Sequence, residues 1–412
     1  MKFSVFSISF FLVMLLITHA LLVGQECPQP VPSQFRHVKS GKVVAAYFAS
    51  WGVGKYGYTV SDIEPIANKL THIIYAFAKP DAQTGACLLR DPQADLGENF
   101  KDRERVGGLF GQLLNLKCKY PHLKVLLSVG GGTYNKNFLE IAKTGKISTF
   151  VKSAVALLDG YEYQYSIDEA TCKDCLDYPG LFDGIDLDWE WDGVNPSHEQ
   201  VMHFHSMLSM FSAELKKRAK HQEKKSWLTC AISVNSKLIK ALKLDSVAKF
   251  VDWFHVMAYD FGGSSAAGIS FNAPICNQWS NYSIDQSISL LMNLGVSPEK
   301  LVLGIPLYGQ VYDQTKAKLG SAFERTEKTG AFRYNKIKEL YVENPACKKT
   351  WHEKSQAMYA YCPVDEVFVS YDDERSVAAK VAYAKQKLLK GIFFWQLAGD
   401  DEDHSLIKAV NI

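Results

Sequence analysis

Residues 181–191 read LFDGIDLDWEW. The run is apolar enough for a buried strand, yet it carries Asp183, Asp186, Asp188 and Glu190. Unpaired charge is costly away from water, so such acids need a reason to be there. Side chains alternate across a strand with a period of two. Asp186, Asp188 and Glu190 therefore share one face, and Ile185, Leu187 and Trp189 share the other. In a barrel the apolar set packs against outer helices, while the acidic set points inward and climbs towards the C-terminal end of the strand.

Seven other runs of the same kind surround this one: KVVAAYFASW (42–51), LTHIIYAFA (70–78), LKVLLSVGGG (123–132), WLTCAISV (227–234), VDWFHVMAYDF (251–261), KLVLGIPLYG (300–309) and KGIFFWQLAGD (390–400). Each is nearly continuous in hydrophobicity, as expected of parallel strands buried on both faces. Helix-like segments such as HEQVMHFHSMLSMFSAELKKRAK separate them. Strands alternating with helices predict an α/β fold, a (β/α)8 TIM barrel occupying residues 41–412.

One interval breaks the rhythm. About sixty residues rich in Tyr, Lys and Gly separate LYG near 309 from SYDDERS at 370, too many for an ordinary loop. Residues 311–369 are read as a small α+β subdomain inserted after the seventh strand. Loops after barrel strands sit on the catalytic face, so the insertion is expected to wall the cleft. The stretch at 160–180 precedes the fourth strand and is expected on the opposite face.

At the N-terminus, Lys2 precedes the apolar run FSVFSISFFLVMLLITHALLVG, and a polar, Pro-rich stretch follows. That order reads as a secretory signal over 1–24 and a flexible lead-in over 25–40; the alternative is an uncleaved membrane anchor. No later segment is apolar enough to span a bilayer. An exported chain can form disulfides. With nine Cys at least one thiol is unpaired within the chain. Cys230, in LTCAISV, is the candidate for a buried free thiol, and Cys347 and Cys362 flank a short polar loop and could pair. CKDC at 172–175 lacks a second ligand pair, so a local disulfide or plain thiols are favoured over a metal site. No metal or cofactor is expected. Asn281-Tyr282-Ser283 is a glycosylation sequon in a eukaryotic setting. Net charge is only +2, with Lys and Arg interleaved among Asp and Glu, which argues against nucleic acid as a partner. Aromatic residues make up 12% of the chain and include eight Trp, compatible with generous core packing or with platforms for a sugar.

Like charges crowded on the inner face of the fourth strand raise at least one carboxyl. Asp188 and Glu190 could share a proton, leaving Glu190 at the strand tip able to act as a general acid near neutral pH. The alternatives are barrel acids satisfied by buried donors, or a metal cluster.

The pattern Asp183-Gly184-x-Asp186-x-Asp188-x-Glu190 resembles the fourth strand of the chitinases of glycoside hydrolase family 18. YFASW (47–51), YAF (75–77), SVGG (128–131), MAYD (257–260), GIPLYG (304–309), SYDDERSVAAK (370–380) and FFWQLAGD (393–400) resemble its other motifs, in order, over roughly 42–400. The resemblance implies a secreted, monomeric hydrolase of chitin or chito-oligosaccharides. Its substrate's 2-acetamido oxygen is then the nucleophile, the family being an exception to the two-carboxylate rule. It implies that Glu190 is acid and then base, that Asp188 orients the acetamido N–H, and that Asp186 holds Asp188's alternative position. Tyr259 would donate to the acetamido carbonyl, Asp260 would hold the distorted sugar, and Trp395 would floor the acetamido pocket. Tyr47, Trp51, Phe77 and Met257 divide between core and pocket lining, and Gly130, Gly131 and Trp191 complete the substrate-binding set. Three positions depart from the family pattern. Gly132 and Thr133 stand where Trp is common, Gln310 where Arg often follows YG, and Trp191 where Tyr or Phe is usual. A non-catalytic glycan-binding lectin and an endo-β-N-acetylglucosaminidase are the competing functions on the same barrel. A lectin typically lacks the acid that Glu190 supplies.

Overall fold

The computed structural model describes residues 41–97, 107–160, 180–191, 193–262, 268–277, 282–313, 319 and 329–411. The expected signal and lead-in, the CKDC pair, nearly all of the 160–180 stretch and Asn281 lie outside those residues.

The eight apolar runs each form a strand, and one short strand is added after the second. In chain order they are β1 (Val43–Ala49), β2 (His72–Pro80), β3 (Cys87–Leu89), β4 (Lys124–Gly130), β5 (Gly184–Asp188), β6 (Trp227–Ser233), β7 (Trp253–Met257) and β8 (Leu301–Pro306). Five more, β9 (Tyr308–Tyr312), β10 (Gly330–Arg333), β11 (Lys348–His352), β12 (Ala357–Cys362) and β13 (Val367–Tyr371), precede β14 (Gly391–Trp395). Strands β1, β2, β4 to β8 and β14 pair in parallel, and the β14–β1 and β1–β2 pairings close the ring into a barrel. The antiparallel β3 extends β2 on the outside of this circuit.

The two faces of β5 divide as alternation requires. Ile185 and Leu187 are fully buried and pack with the helical shell, each contributing about 1.5–3 kcal/mol by leaving water. Leu187→Ala would cost about 2–5 kcal/mol through the cavity it leaves. The longest helix of that shell, His198–His221, starts at Ser197, whose hydroxyl accepts from the Gln200 N–H while the Gln200 side chain accepts from the Ser197 N–H. It buries Phe204, Leu208, Phe211 and Leu215, a stripe with helical spacing. Inside the barrel Tyr47, Ile74, Leu126, Trp253, Val302 and Phe393 form a separate apolar cluster beneath the cleft.

Asp183 sits at the other end of the strand from the catalytic-looking acids. Its side chain is fully buried between Lys117 Nζ (2.5 Å) and Lys224 Nζ (2.7 Å), and it accepts the Val125 N–H at 2.9 Å. Burial alone would raise this carboxyl, but the two lysines and the Val125 donor outweigh it and hold it below its ordinary value. This acid therefore ties the base of the barrel together.

Between β8 and β14 the chain builds a second, wholly antiparallel sheet in the order β10-β9-β13-β12-β11. A disulfide joins Cys347, just before β11, to Cys362, the last residue of β12. The sheet begins at Tyr308 and so takes in residues 308–309, which the sequence reading had joined to the seventh strand, and Gln310, which it had left between that strand and the insertion. The change of sheet falls at Leu307, whose N–H donates to the Trp395 carbonyl at 2.7 Å. Cys87, Cys118 and Cys230 are free thiols, Cys230 fully buried, and Cys276 is disulfide-bonded. Among the described residues no helix is long and apolar enough to cross a membrane.

Candidate active site

The strand register sets the first layer of the site. Ser128 of β4 and Thr229 of β6 both lie level with Asp186, so two hydroxyls flank one inward carboxylate. Ser128 Oγ donates to Asp186 Oδ2 at 2.8 Å, and Thr229 Oγ1 donates to Oδ1 at 2.6 Å. The Tyr47 hydroxyl reaches Oδ2 at 2.7 Å, and His255 Nδ1 lies 3.0 Å from Oδ1. Burial would push Asp186 up, but the hydrogen bonds it accepts from His255, Thr229 and Tyr47 outweigh it and hold the carboxyl below its ordinary value. Asp186 is thus a fixed anion at full burial.

Two residues on, Asp188 is in the opposite condition. It is only 3% exposed, and among the described residues its Oδ1 has no hydrogen-bond partner. Burial, then the charges of Glu190 and Asp186, raise its carboxyl well above the ordinary value. Of the two carboxyls, Asp188 is the one whose surroundings favour the neutral form. Glu190, half-buried just past the strand, is raised first by burial and further by Asp260, against a hydrogen bond from the Gly132 N–H. A charged base layer, a neutral acid above it and a Glu with elevated proton affinity at the mouth make a proton-donating stack.

The stack opens into a cavity of about 530 Å³, whose wall includes Asp188, Glu190, Tyr259, Asp260, Tyr308 and Trp395. Tyr259 follows β7 and is nearly buried at 8% exposure. Asp260 has a left-handed backbone (φ 59°), and its N–H donates to Asn272 Oδ1 at 3.3 Å. Its side chain opens onto the cleft. Desolvation by the surrounding protein raises its carboxyl, against donors from Tyr308 (2.7 Å) and Gln310 (3.2 Å) that favour its charge. Both donors belong to β9, the strand that starts the second sheet.

The predicted lining set is split. Tyr47, Met257, Trp191 and Trp395 line the cavity. Trp51 and Phe77 are not part of its wall; they form a stack behind Trp395, with Trp51–Phe77 centroids at 5.8 Å and Phe77–Trp395 at 6.0 Å. Trp191 stacks on Trp189 at 4.5 Å and 7°, and both rings meet Phe204 edge-on. Gly130 and Gly131 sit at the turn leaving β4 with φ of 120° and 84°. A Cβ on Gly130 would lie 2.2 Å from the Asp188 carbonyl oxygen, and one on Gly131 would lie 2.6 Å from the Phe77 ring. Their contribution in this structure is close approach of the backbone.

Several functional partners escaped sequence reasoning. Thr229 and His255 had no role assigned, and Ser128 and Tyr308 were seen only as parts of motifs. Alternation offered a signal for His255, because VDWFHVMAYD places Trp253, His255 and Met257 on one face. The Asp260 partners carried no such signal, since they come from another sheet.

The sequence pattern described as Glycosyl hydrolases family 18 matches residues 43–400. Among curated proteins, Chitinase A1 of Niallia circulans is 29% identical over 426 aligned positions, covering 90% of this chain and 58% of that protein. The chain thus spans little more than half the length of that relative. Among solved structures, chitinase ChiA74 from Bacillus thuringiensis superposes with a TM-score of 0.77 at 27% identity, over 90% of this chain and 69% of that one. A chitinase from Cycas revoluta, solved in complex with (GlcNAc)3, superposes with a TM-score of 0.71 at 26% identity, over 89% of this chain and 98% of that one.

Proposed function

The chain belongs to the glycosyl hydrolases family 18, and on that footing we propose that it is a chitinase, cutting β-1,4 links between N-acetylglucosamine units with the substrate's own acetamido group as nucleophile. One observation carries the reading: Asp188 is buried, raised towards its neutral form, and has an oxygen without a partner among the described residues, beside the cavity. A neutral acid is a poor nucleophile but a good partner for an amide N–H arriving with the substrate.

In the proposed reaction Glu190 gives its proton to the glycosidic oxygen as the bond from that oxygen to the anomeric carbon breaks. The acetamido carbonyl oxygen forms a new bond to the same carbon, closing an oxazolinium ring. Asp188 takes up the acetamido N–H and Asp186 retains the negative charge of the pair, which offsets the ring's positive charge. Tyr259 donates to the acetamido oxygen, and Asp260 holds the distorted sugar. Water then attacks the anomeric carbon, Glu190 recovers a proton from it, and the ring opens with the β-configuration restored.

The chain is proposed to act as a secreted monomer on chitin or chito-oligosaccharides, with neither nucleic acid nor membrane as a partner once the leader is removed. The charge, apolar run and polar flank at residues 1–40 support export, as does the Cys347–Cys362 disulfide, which suits an oxidising compartment. The second sheet is proposed to wall the cleft, supported by the reach of Tyr308 and Gln310 to Asp260.

The purified chain is to be assayed on a fluorogenic chitotrioside, on the same oligomer deacetylated at the cleavage-site sugar, on a cello-oligosaccharide and on an N-glycoprotein. Turnover is expected on the first alone. Comparable cleavage of the cello-oligosaccharide, which has no acetamido group, would refute substrate assistance. Release of sugar from the glycoprotein in preference to the chitotrioside would move the substrate to N-glycans.

A further inference from the structure

Beneath the acids a histidine is held in a single protonation form by a neighbour whose chemistry permits only one arrangement. Trp253 and His255 are two apart on β7, so both project into the barrel, and both are buried to within 1%. Trp253 Nε1 lies 2.9 Å from His255 Nε2. An indole nitrogen can only donate, so His255 Nε2 must accept and carries no proton. The ring hydrogen is therefore on Nδ1, which points at Asp186 Oδ1 (3.0 Å) and lies 3.3 Å from the Tyr47 hydroxyl. The indole cannot swing aside, because Trp227 (5.2 Å) and His72 (5.1 Å) pack against it.

We propose that Trp253 is a positioning residue of the active site: its N–H blocks the second proton of His255, so that Asp186 receives a neutral donor and remains an anion without a cation beside it. The proposal rests on the reaction set out above. An imidazolium at His255 would stand 3.0 Å from Asp186 and cancel the charge that keeps the proton on Asp188. It would also add positive charge beneath a transition state that is itself cationic.

Among the described residues, the groups facing His255 leave no other control. Asp186 on β5 is the nearest charge. Tyr47 on β1 is kept protonated by burial and then by the Asp186 and Asp188 charges. His72 on β2 has its imidazole pushed down to about 3, first by burial, so it is neutral across the working range. The remaining neighbours are Phe393 on β14 (5.0 Å), Ala231 on β6 and Val302 on β8, none of which titrates. Trp253 is the one donor among the described residues assigned to the Nε2 position.

Trp253→Phe keeps an aromatic ring and removes only the N–H. With 15N-labelled histidine, and His255→Asn to assign the signal, wild-type His255 is expected to show Nδ1 protonated and Nε2 bare from pH 5 to 8. In the variant the same ring is expected to titrate. The activity readout is kcat/KM on the chitotrioside against pH. Near pH 7 the variant is expected within about threefold of wild type. If its imidazole titrates near the ordinary value of about 6.5, it falls about tenfold at pH 5.5 through an ionisation wild type lacks. A protonated Nε2 or a titrating His255 in wild type overturns the proposal, and that measurement stands even if the variant does not fold. A titrating variant whose pH profile superimposes on wild type overturns the catalytic part. Failure of the broader reading looks different: wild type itself would leave the chitotrioside uncut, while the tautomer would still be read directly.

Discussion

Replacing Glu190 by Gln tests the proton-donating stack at its outermost member. The side chain is half-buried, its proton affinity is raised chiefly by burial, and it receives the Gly132 N–H. A glutamine oxygen can accept that same N–H, and the amide matches the volume of the protonated acid. The cavity and the contacts of a bound oligomer should therefore survive. The lost proton should not be replaced: general acid catalysis contributes about 10²–10⁴-fold, or roughly 2.7–5.4 kcal/mol of barrier. The sign for stability is opposite to that for rate. A carboxyl whose folded proton affinity exceeds its unfolded one binds more protons when folded, so stability falls as pH rises from the unfolded value through the folded one. Gln removes that penalty, and at pH 7 the variant should melt at or slightly above wild type, with a change below about 1 kcal/mol. Initial rates on the chitotrioside across pH 3 to 9, oligosaccharide binding by calorimetry and thermal melts supply the three readouts. Expected are a kcat loss in the stated range, an affinity within about threefold, and loss of the alkaline limb that reports the acid. A kcat within tenfold of wild type, with the alkaline limb in place, would show that the proton comes from elsewhere.

Gln310→Arg would put a cation against Asp260, whose charge raises Glu190; the alkaline limb of kcat/KM should move towards acid, and an unmoved limb would separate Asp260 from Glu190. Lys117→Met should cost about 1–3 kcal/mol at pH 7, below the full cost of breaking a buried pair because Lys224 remains. Since the Asp183 carboxyl is held low, its contribution is present above its unfolded value and disappears as pH falls through the folded one. Denaturant melts of wild type and variant should therefore converge in strong acid, and a constant gap would contradict the ion-pair account. Cys347→Ser with Cys362→Ser opens a link spanning a sequence separation of 15 and should cost about 3 kcal/mol. Thermal melts should show that loss while kcat on the chitotrioside stays within about twofold of wild type.

The barrel was legible because each strand announces itself locally: a run such as KVVAAYFASW is apolar on both faces, as a parallel strand buried on both sides must be. The acid layers were legible for the same reason, since period-two alternation ranks Asp186, Asp188 and Glu190 on one face without reference to anything else. Alternation does not say which acid is satisfied. Asp186 owes its charge to Ser128, Thr229, Tyr47 and His255, drawn from four other strands, and that convergence exists only once the register closes. The exit from the seventh strand was misplaced because Leu307 and Tyr308 continue the apolar pattern without a break. Trp51 and Phe77 could only be left divided between core and pocket lining, because the stack they form against the Trp395 ring joins three different strand ends.

Because Asp260 takes both of its donors from β9, the inserted sheet is not a detachable module. A splice joining Leu307 to Asp372 would spare every barrel strand and every member of the acid stack. It would still remove the Tyr308 hydroxyl, the Gln310 amide and the Tyr308 carbonyl that receives Asn272 Nδ2 at 3.2 Å. Asn272 is also the residue whose Oδ1 receives the Asp260 N–H. The left-handed backbone at Asp260 would thus lose support from two directions at once. For anyone trimming or recombining such barrels, the smallest transplantable unit is the barrel together with its second sheet, because the border between them runs through the substrate-facing side chain of Asp260 and its support, Asn272.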